Sequence, residues 1–194
     1  MGIEHLPEVI KQKYEIIEQN HAIAILKVDF PEEYNQIINI LSGFQLTRHD
    51  ILTPGGRKSP ISTKIDRQFY DSNWEEKQFR IDITVDNVEY PTPTHKVDCY
   101  KNKIGVEIEW NNKDTFYDRD LNNFRLLHDL KALSVGVIIT RSEALQEVFN
   151  ELGKGSSYGS STTHLGKLRP KINGRGSGGC PLLIFAIKKE CYVD

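Results

Sequence analysis

The stretch KVDCYKNKIGVEIEW, residues 96–110, decides how this chain is read. KVDCY and IGVEIEW alternate as strands, and the short polar turn KNK between them makes a hairpin. Side chains two apart on a strand share a face. Glu107 and Glu109 therefore point one way, and Val106, Ile108 and Trp110 point the other way into a core. Across the hairpin Asp98 falls opposite the glutamates, with Cβ atoms about 5 Å apart in a matched register. Two carboxylates about 4 Å apart repel by roughly 4 kcal/mol at an effective dielectric of 20. Three together raise their pKa values or push the strands apart unless a cation compensates. Oxygen-only donors favour Mg2+, Mn2+ or Ca2+ over zinc. The plain alternative is a sheet face open to water.

Working outward, KYEIIEQ (13–19) alternates like a strand. Asn20 suits the N-cap of a helix through HAIAILK, although AIAILKV also passes for a strand. PEEYNQIINIL (31–41) is an amphipathic helix with an acidic first turn. TPGGRK (53–58) is a turn-rich loop, after which Ser59 caps and Pro60 opens a helix to about Tyr70. FRIDITV (79–85) reads as a strand with one wet face, and YPTPT breaks the chain. Residues 118–133 form the strongest helix, with an apolar stripe wide enough for a thick core or for contact with both the sheet and another subunit. VGVIIT (135–140) and PLLIFAI (181–187) are buried strands, and SEALQEVFNEL (142–152) is a helix capped by Ser142. The expected fold class is α/β, one domain over residues 1–194, with a mixed central sheet flanked by helices.

A chain of 194 residues buries a sizeable core. No apolar run is long enough to span a membrane, and the N-terminal stretch lacks the apolar core of a signal peptide. Met-Gly opens the chain, but Leu6 stands where a myristoylation signal wants Ser or Thr. Cys99, Cys180 and Cys191 are odd in number and lack CxxC spacing, which argues against a disulfide framework and a structural zinc site and makes a reducing cytoplasm the default. The net charge of −2 argues weakly against nucleic acid, but its distribution does not. Residues 71–120 hold twelve acids against seven bases, while residues 154–175 hold five bases and no acid. Two surfaces with different tasks follow.

The order Asp, eight residues, Glu, one residue, Glu is the layout of a PD-(D/E)xK nuclease core. Two metal-bound oxygens place Mg2+ against a phosphodiester, and a third group orients or deprotonates the attacking water. The chain resembles the type II restriction endonucleases of the BglII and BstYI group, which are related to BamHI. The likeness runs through QNHAIAIL (19–26), FPEEYNQIINIL (30–41), SPISTKI (59–65), VDCYKNKIGVEIEW, KALSVGVIIT, GRGSGG and PLLIFAI in the same order. It implies a homodimer that binds a short palindromic duplex and cuts both strands with Mg2+, for which Mn2+ can substitute, in the cytoplasm of a bacterium or archaeon. On this resemblance Asp98 and Glu107 bind the metal with the backbone carbonyl of Ile108. Glu109 stands where the wider superfamily has lysine and the near relatives glutamine, so its role is either general base or orientation of a metal-bound water. Glu76 and Lys77 are the nearest candidates for one more polar group.

Phosphates fix register and base edges give specificity. The segment KGSSYGSSTTHLGKLRPKINGRG (154–176) has the chemistry for both, and at 23 residues it is too long for an idle connection. Ser156, Ser157, Tyr158, Ser160, Ser161, Thr162, Thr163 and His164 are candidates for base contacts, with Asn173 beside them. Lys167, Arg169, Lys171 and Arg175 suit mixed base and phosphate contacts. Arg57, Lys58 and Ser59, before a helix N-terminus, form a second candidate phosphate site. His95 and His128 read as ordinary surface and interface groups, and Ser161 to His164 offers no hydrolase triad. Two other functions fit the same residues: a nuclease directed by DNA structure or methylation, and a DNA-binding protein whose carboxylates hold no metal.

Overall fold

The computed structural model describes residues 2–55, 59–92 and 94–194. The chain opens with α1 (Glu8–Lys13), β1 (Tyr14–Gln19), α2 (Ala22–Asp29) and α3 (Pro31–Gly43). Then follow β2 (Leu46–Thr47), α4 (Arg48–Leu52), α5 (Pro60–Tyr70) and β3 (Glu75–Lys77). The middle holds β4 (Ile81–Val85), β5 (Val88–Thr92), β6 (Val97–Lys101), β7 (Ile104–Ile108) and α6 (Phe116–Asp129). The last third holds β8 (Val135–Arg141), α7 (Leu145–Glu151), α8 (Leu165–Asn173), β9 (Leu182–Ile187) and β10 (Tyr192–Val193).

A six-stranded sheet runs in the order β1-β9-β8-β7-β6-β3. β7, β8 and β9 are parallel, and β1, β6 and β3 are antiparallel to their neighbours, so the sheet is mixed as expected. Parallel pairs need crossovers, which α6 provides between β7 and β8, and α7 with α8 between β8 and β9. One face packs against α1–α5 and α7 through residues such as Ile10, Leu26, Ile37, Ile65, Phe149 and Phe185. The other packs against α6 and α8 through Tyr117, Phe124, Leu127, Leu165, Leu168 and Ile184. Leu121, Phe124 and Leu127 of α6 and Leu133 after it are spent on this core, whereas Leu126 is half-buried and Leu130 half-exposed.

Two glycines set how close α6 comes. A Cβ on Gly136 would stand 2.5 Å from the Phe124 ring, and one on Gly105 would stand 2.8 Å from Leu133. The backbone of β7 and β8 therefore lies directly under α6.

Several local expectations change. Asn20 and His21 both have positive φ, and the Asn20 side chain donates to the carbonyls of Gly179 and Cys180 instead of capping α2. FRIDITV contributes β4, but β4 pairs with β5, a strand that the prolines of YPTPT had hidden, and the two form a separate hairpin. Ile83 faces Tyr90 and Val85 faces Val88 across it, all half-exposed. Ala144, not Ser142, precedes the first residue of α7, while the Ser142 hydroxyl still accepts the Ala144 N–H. Residues 154–176 are not loop throughout, because Leu165, Leu168 and Ile172 make a buried stripe that folds α8 onto the core.

Candidate active site

The turn Asn102-Lys103 has two positive φ values, the geometry of a tight hairpin turn, and it sets the register of β6 against β7. Lys101 pairs with Ile104, Tyr100 with Gly105 and Cys99 with Val106, and there the ladder ends. Beyond it carboxylates replace carbonyls. The Ile108 N–H donates to Asp98 Oδ2 at 3.0 Å, and the Asp98 N–H donates to Glu107 Oε2 at 3.4 Å. Asp98 and Glu107 are thus brought together by the hairpin itself.

Val106, Ile108 and Trp110 enter the core, so Glu107 and Glu109 share the opposite face with Gly105, beneath α6. That face is not open to water: Glu107 is 0% and Glu109 2% exposed. Asp120, also fully buried, comes down from α6 to join them. Arg119 is the cation against the cluster. Its Nε and Nη2 donate to Asp120 Oδ1 at 3.0 and 2.8 Å, and Nη2 reaches Glu109 Oε1 at 3.4 Å. The Asn112 side chain donates to Glu109 Oε2 at 2.8 Å.

Charge is costly here. Burial, then the charges of Asp120, Asp98 and Glu109, push the Glu107 carboxyl well above the ordinary 4.5. Burial and Asp120 push Glu109 up to about 9. Burial raises Asp120 to about 6, against the pull of Arg119. Glu107 Oε1 and Asp120 Oδ2 are buried with no hydrogen-bond partner. Buried oxygens are ordinarily satisfied, and two orphans in one acidic cluster fit a hard divalent cation, whose donors are oxygens. Among the described residues, however, no three His, Cys, Asp or Glu side chains are placed together to hold a metal ion. The cradle of three acids is not closed, because Glu109 is turned to Asn112 and Arg119. Asp98, Glu107 and the Ile108 backbone between them remain as the candidate donors.

Glu76 and Lys77 stand on β3, beside β6, but do not enter the cluster. Glu76 pairs with Lys96 at 2.7 Å on the surface, and the Lys77 ammonium sits 4.8 Å from the centre of the Tyr100 ring. Arg57 and Lys58 lie outside the described residues. Ser59 caps α5 by accepting the Ser62 N–H at 2.9 Å. Ser59 and Ser157 both line a cleft of about 290 Å3 together with Trp110, Asn111 and Lys154, so the two segments expected to meet DNA converge at the end of β7.

Within residues 154–164 the side chains divide. Ser156, Ser157, Ser160 and Ser161 are exposed and Thr162 is half-buried. Tyr158, Thr163 and His164 are buried. The Tyr158 ring stacks on Phe149 with centroids 4.0 Å apart and meets Trp110 edge-on, and His164 lies 3.8 Å from Glu143. Of the basic residues, Lys167 lies 4.0 Å from Asp114, Arg169 pairs with Glu15, and Lys171 pairs with Asp118 at 2.5 Å. Asn173 and Arg175 line a polar recess with Gln19 and Asn20. Gln19 pairs with Leu182, the first residue of β9, and Leu182 lies level with Gly136. Glu109 lies level with Ile139, so Asn173 and Arg175 belong to the opposite end of the sheet from the carboxylates.

Sequence reasoning missed four groups. Asp120 falls three residues after Tyr117 and four before Phe124, an acid on a helix stripe that is otherwise apolar; that misfit was the available signal. Arg119 and Asn112 carried no such signal. Arg141 ends the apolar β8 and is 1% exposed, with its guanidinium donating to the Tyr158 carbonyl at 3.1 Å and to Thr162 Oγ1 at 2.9 Å.

No curated protein matches the chain. A family model described as restriction endonuclease BglII/BglIII matches residues 14–187, from the first residue of β1 to the last of β9. A six-stranded mixed sheet flanked by helices is consistent with a restriction-endonuclease fold, and the chain belongs to the BglII/BglIII restriction endonuclease family.

Proposed function

We propose that this restriction endonuclease acts as a homodimer that hydrolyses one phosphodiester in each strand of a short palindromic duplex, with Mg2+ as cofactor and Mn2+ as a substitute. The observation that carries the reading is the group of buried Glu107, Glu109 and Asp120 with half-buried Asp98, with two oxygens lacking partners, at the point where the β6–β7 ladder gives way. A divalent ion, when bound, supplies a Lewis acid for the phosphate and lowers the pKa of water. Asp98, Glu107 and the Ile108 carbonyl hold it. Glu109, tethered by Asn112 and Arg119, orients or deprotonates the attacking water. The exposed Ser156, Ser157, Ser160 and Ser161, with Thr162, read base edges, while Ser59 and Lys154 across the shared cleft take phosphates. Lys167, Arg169 and Lys171 leave their surface acids for the DNA backbone.

Digesting a plasmid of known sequence with Mg2+ and sizing the fragments tests this. A discrete fragment set that maps to one short palindrome supports it. Cuts that follow junctions, mismatches or methylation instead support a structure- or methylation-directed nuclease on the same core. DNA bound but intact with Mg2+ leaves a binding protein.

A further inference from the structure

The residues that follow β7 are stitched to the serine-rich segment at successive points. The Asn111 side chain donates to the Ser157 carbonyl at 3.0 Å. The Thr163 N–H donates to the Asn112 carbonyl at 2.8 Å, and the Asn112 N–H donates back to Thr163 Oγ1 at 3.0 Å. Lys113 and Thr162 form an isolated antiparallel bridge. From the other side Arg141 fixes the Tyr158 carbonyl and the Thr162 hydroxyl. Only one of these residues also touches the acidic cluster: the Asn112 amide, whose backbone is gripped by Thr163, donates to Glu109 Oε2. Thr163 itself is 0% exposed, so it meets neither DNA nor solvent.

We propose that the Thr163–Asn112 pair couples the serine-rich segment to Glu109, so that a duplex seated wrongly on Ser156–Thr162 misplaces Glu109 and slows cleavage. Both are positioning residues. The inference rests on the nuclease reading above and adds to it where sequence discrimination is converted into rate. The geometry is direct. A shift of the segment moves Thr163, the paired backbone carries that shift to Asn112, and the 2.8 Å bond from the Asn112 amide passes it to Glu109. Residues in one hydrogen-bonded network give non-additive effects, which makes the link measurable.

The test compares the wild type with Asn112→Ala, Thr163→Val and the double variant. The probes are duplex oligonucleotides carrying the site mapped by plasmid digestion and the same duplexes with one base pair changed. Single-turnover cleavage with Mg2+ is measured beside binding in chelator. Each single variant lowers the ratio of cleavage rates, mapped site over altered site, by about threefold to tenfold, the worth of one hydrogen bond between neutral groups. The double variant loses no more than either single one, and the binding preference is unchanged. Equal slowing on both duplexes, or losses that multiply in the double variant, overturns the coupling. Thr163→Ser keeps the hydroxyl and keeps the discrimination, which separates the missing acceptor from general damage. Amide exchange supplies a readout without cleavage: DNA protects residues 107–112 and 158–163 together in the wild type, but only 158–163 in Thr163→Val. Protection of both segments in that variant overturns the proposal. A wild type that shows coupled protection yet cuts nothing refutes the nuclease reading and leaves the coupling standing.

Discussion

The Asp98 carboxylate accepts the N–H of Ile108 at 3.0 Å, in the place a backbone carbonyl holds one pair earlier in the hairpin. One side chain therefore both ends the ladder and begins the acidic cluster. Its charge is among those that raise Glu107. Asp98→Asn keeps an oxygen for Ile108 and removes that charge. It is expected to abolish the rise in Tm that Mg2+ gives the wild type. Thermal melts with and without Mg2+ check this, and a Mg2+-dependent rise that survives in Asp98→Asn contradicts the role of Asp98 as a metal donor.

The pH dependence of metal-free stability has a definite sign. A carboxyl held above its ordinary pKa binds protons in the folded chain that the unfolded chain has released, so stability falls as pH rises through the gap. For Glu109 the gap runs from the ordinary 4.5 to about 9. His95 and His164, both held below 6.5 by burial, act oppositely, but their contribution is complete by about pH 7. In chelator, Tm is therefore expected to fall from pH 7 to 9, and Glu109→Gln is expected to flatten the decline. An unchanged slope in that variant places the proton elsewhere.

Gly136→Ala is expected to cost about 1–3 kcal/mol, the usual penalty for overpacking. The new methyl would stand 2.5 Å from a ring of Phe124 that is itself fully buried. Urea denaturation reads the loss, and partial rescue by Phe124→Leu locates it.

Arg141 holds the serine-rich segment from inside. Arg141→Met fills most of its volume without donors and strands the carbonyl of Tyr158, at about 1–3 kcal/mol for a buried group left unpaired, while the Thr162 hydroxyl keeps its bond to the Gly159 carbonyl. Limited proteolysis is expected to nick residues 154–162 before any other part of the variant. Nicking at wild-type rates there means the aromatic stack of Trp110, Phe149 and Tyr158 suffices.

Much of this was legible in the sequence. The alternation of 96–110 and the polar turn fixed both the hairpin and the shared face of Glu107 and Glu109, because strand periodicity leaves a side chain only two directions. The burial of that face was not legible, since it depends on Gly105 and Gly136 letting α6, a separate element of the chain, pack close above it. Asp120 was hidden for the same reason, being adjacent only in space. β5 was hidden because proline chemistry suggests a break, yet an isolated hairpin tolerates Pro91 at its edge. Residues 154–176 look like loop by their glycine, serine and charge, which outweigh the sparse stripe of Leu165, Leu168 and Ile172 that folds α8.

The central claim is most directly tested by the cleavage of a mapped duplex site with Mg2+ by the wild type, Asp98→Ala and Glu107→Ala, with binding of the same duplex measured in parallel. The account predicts that both variants bind the duplex and leave it intact. Robust cleavage by either variant contradicts it.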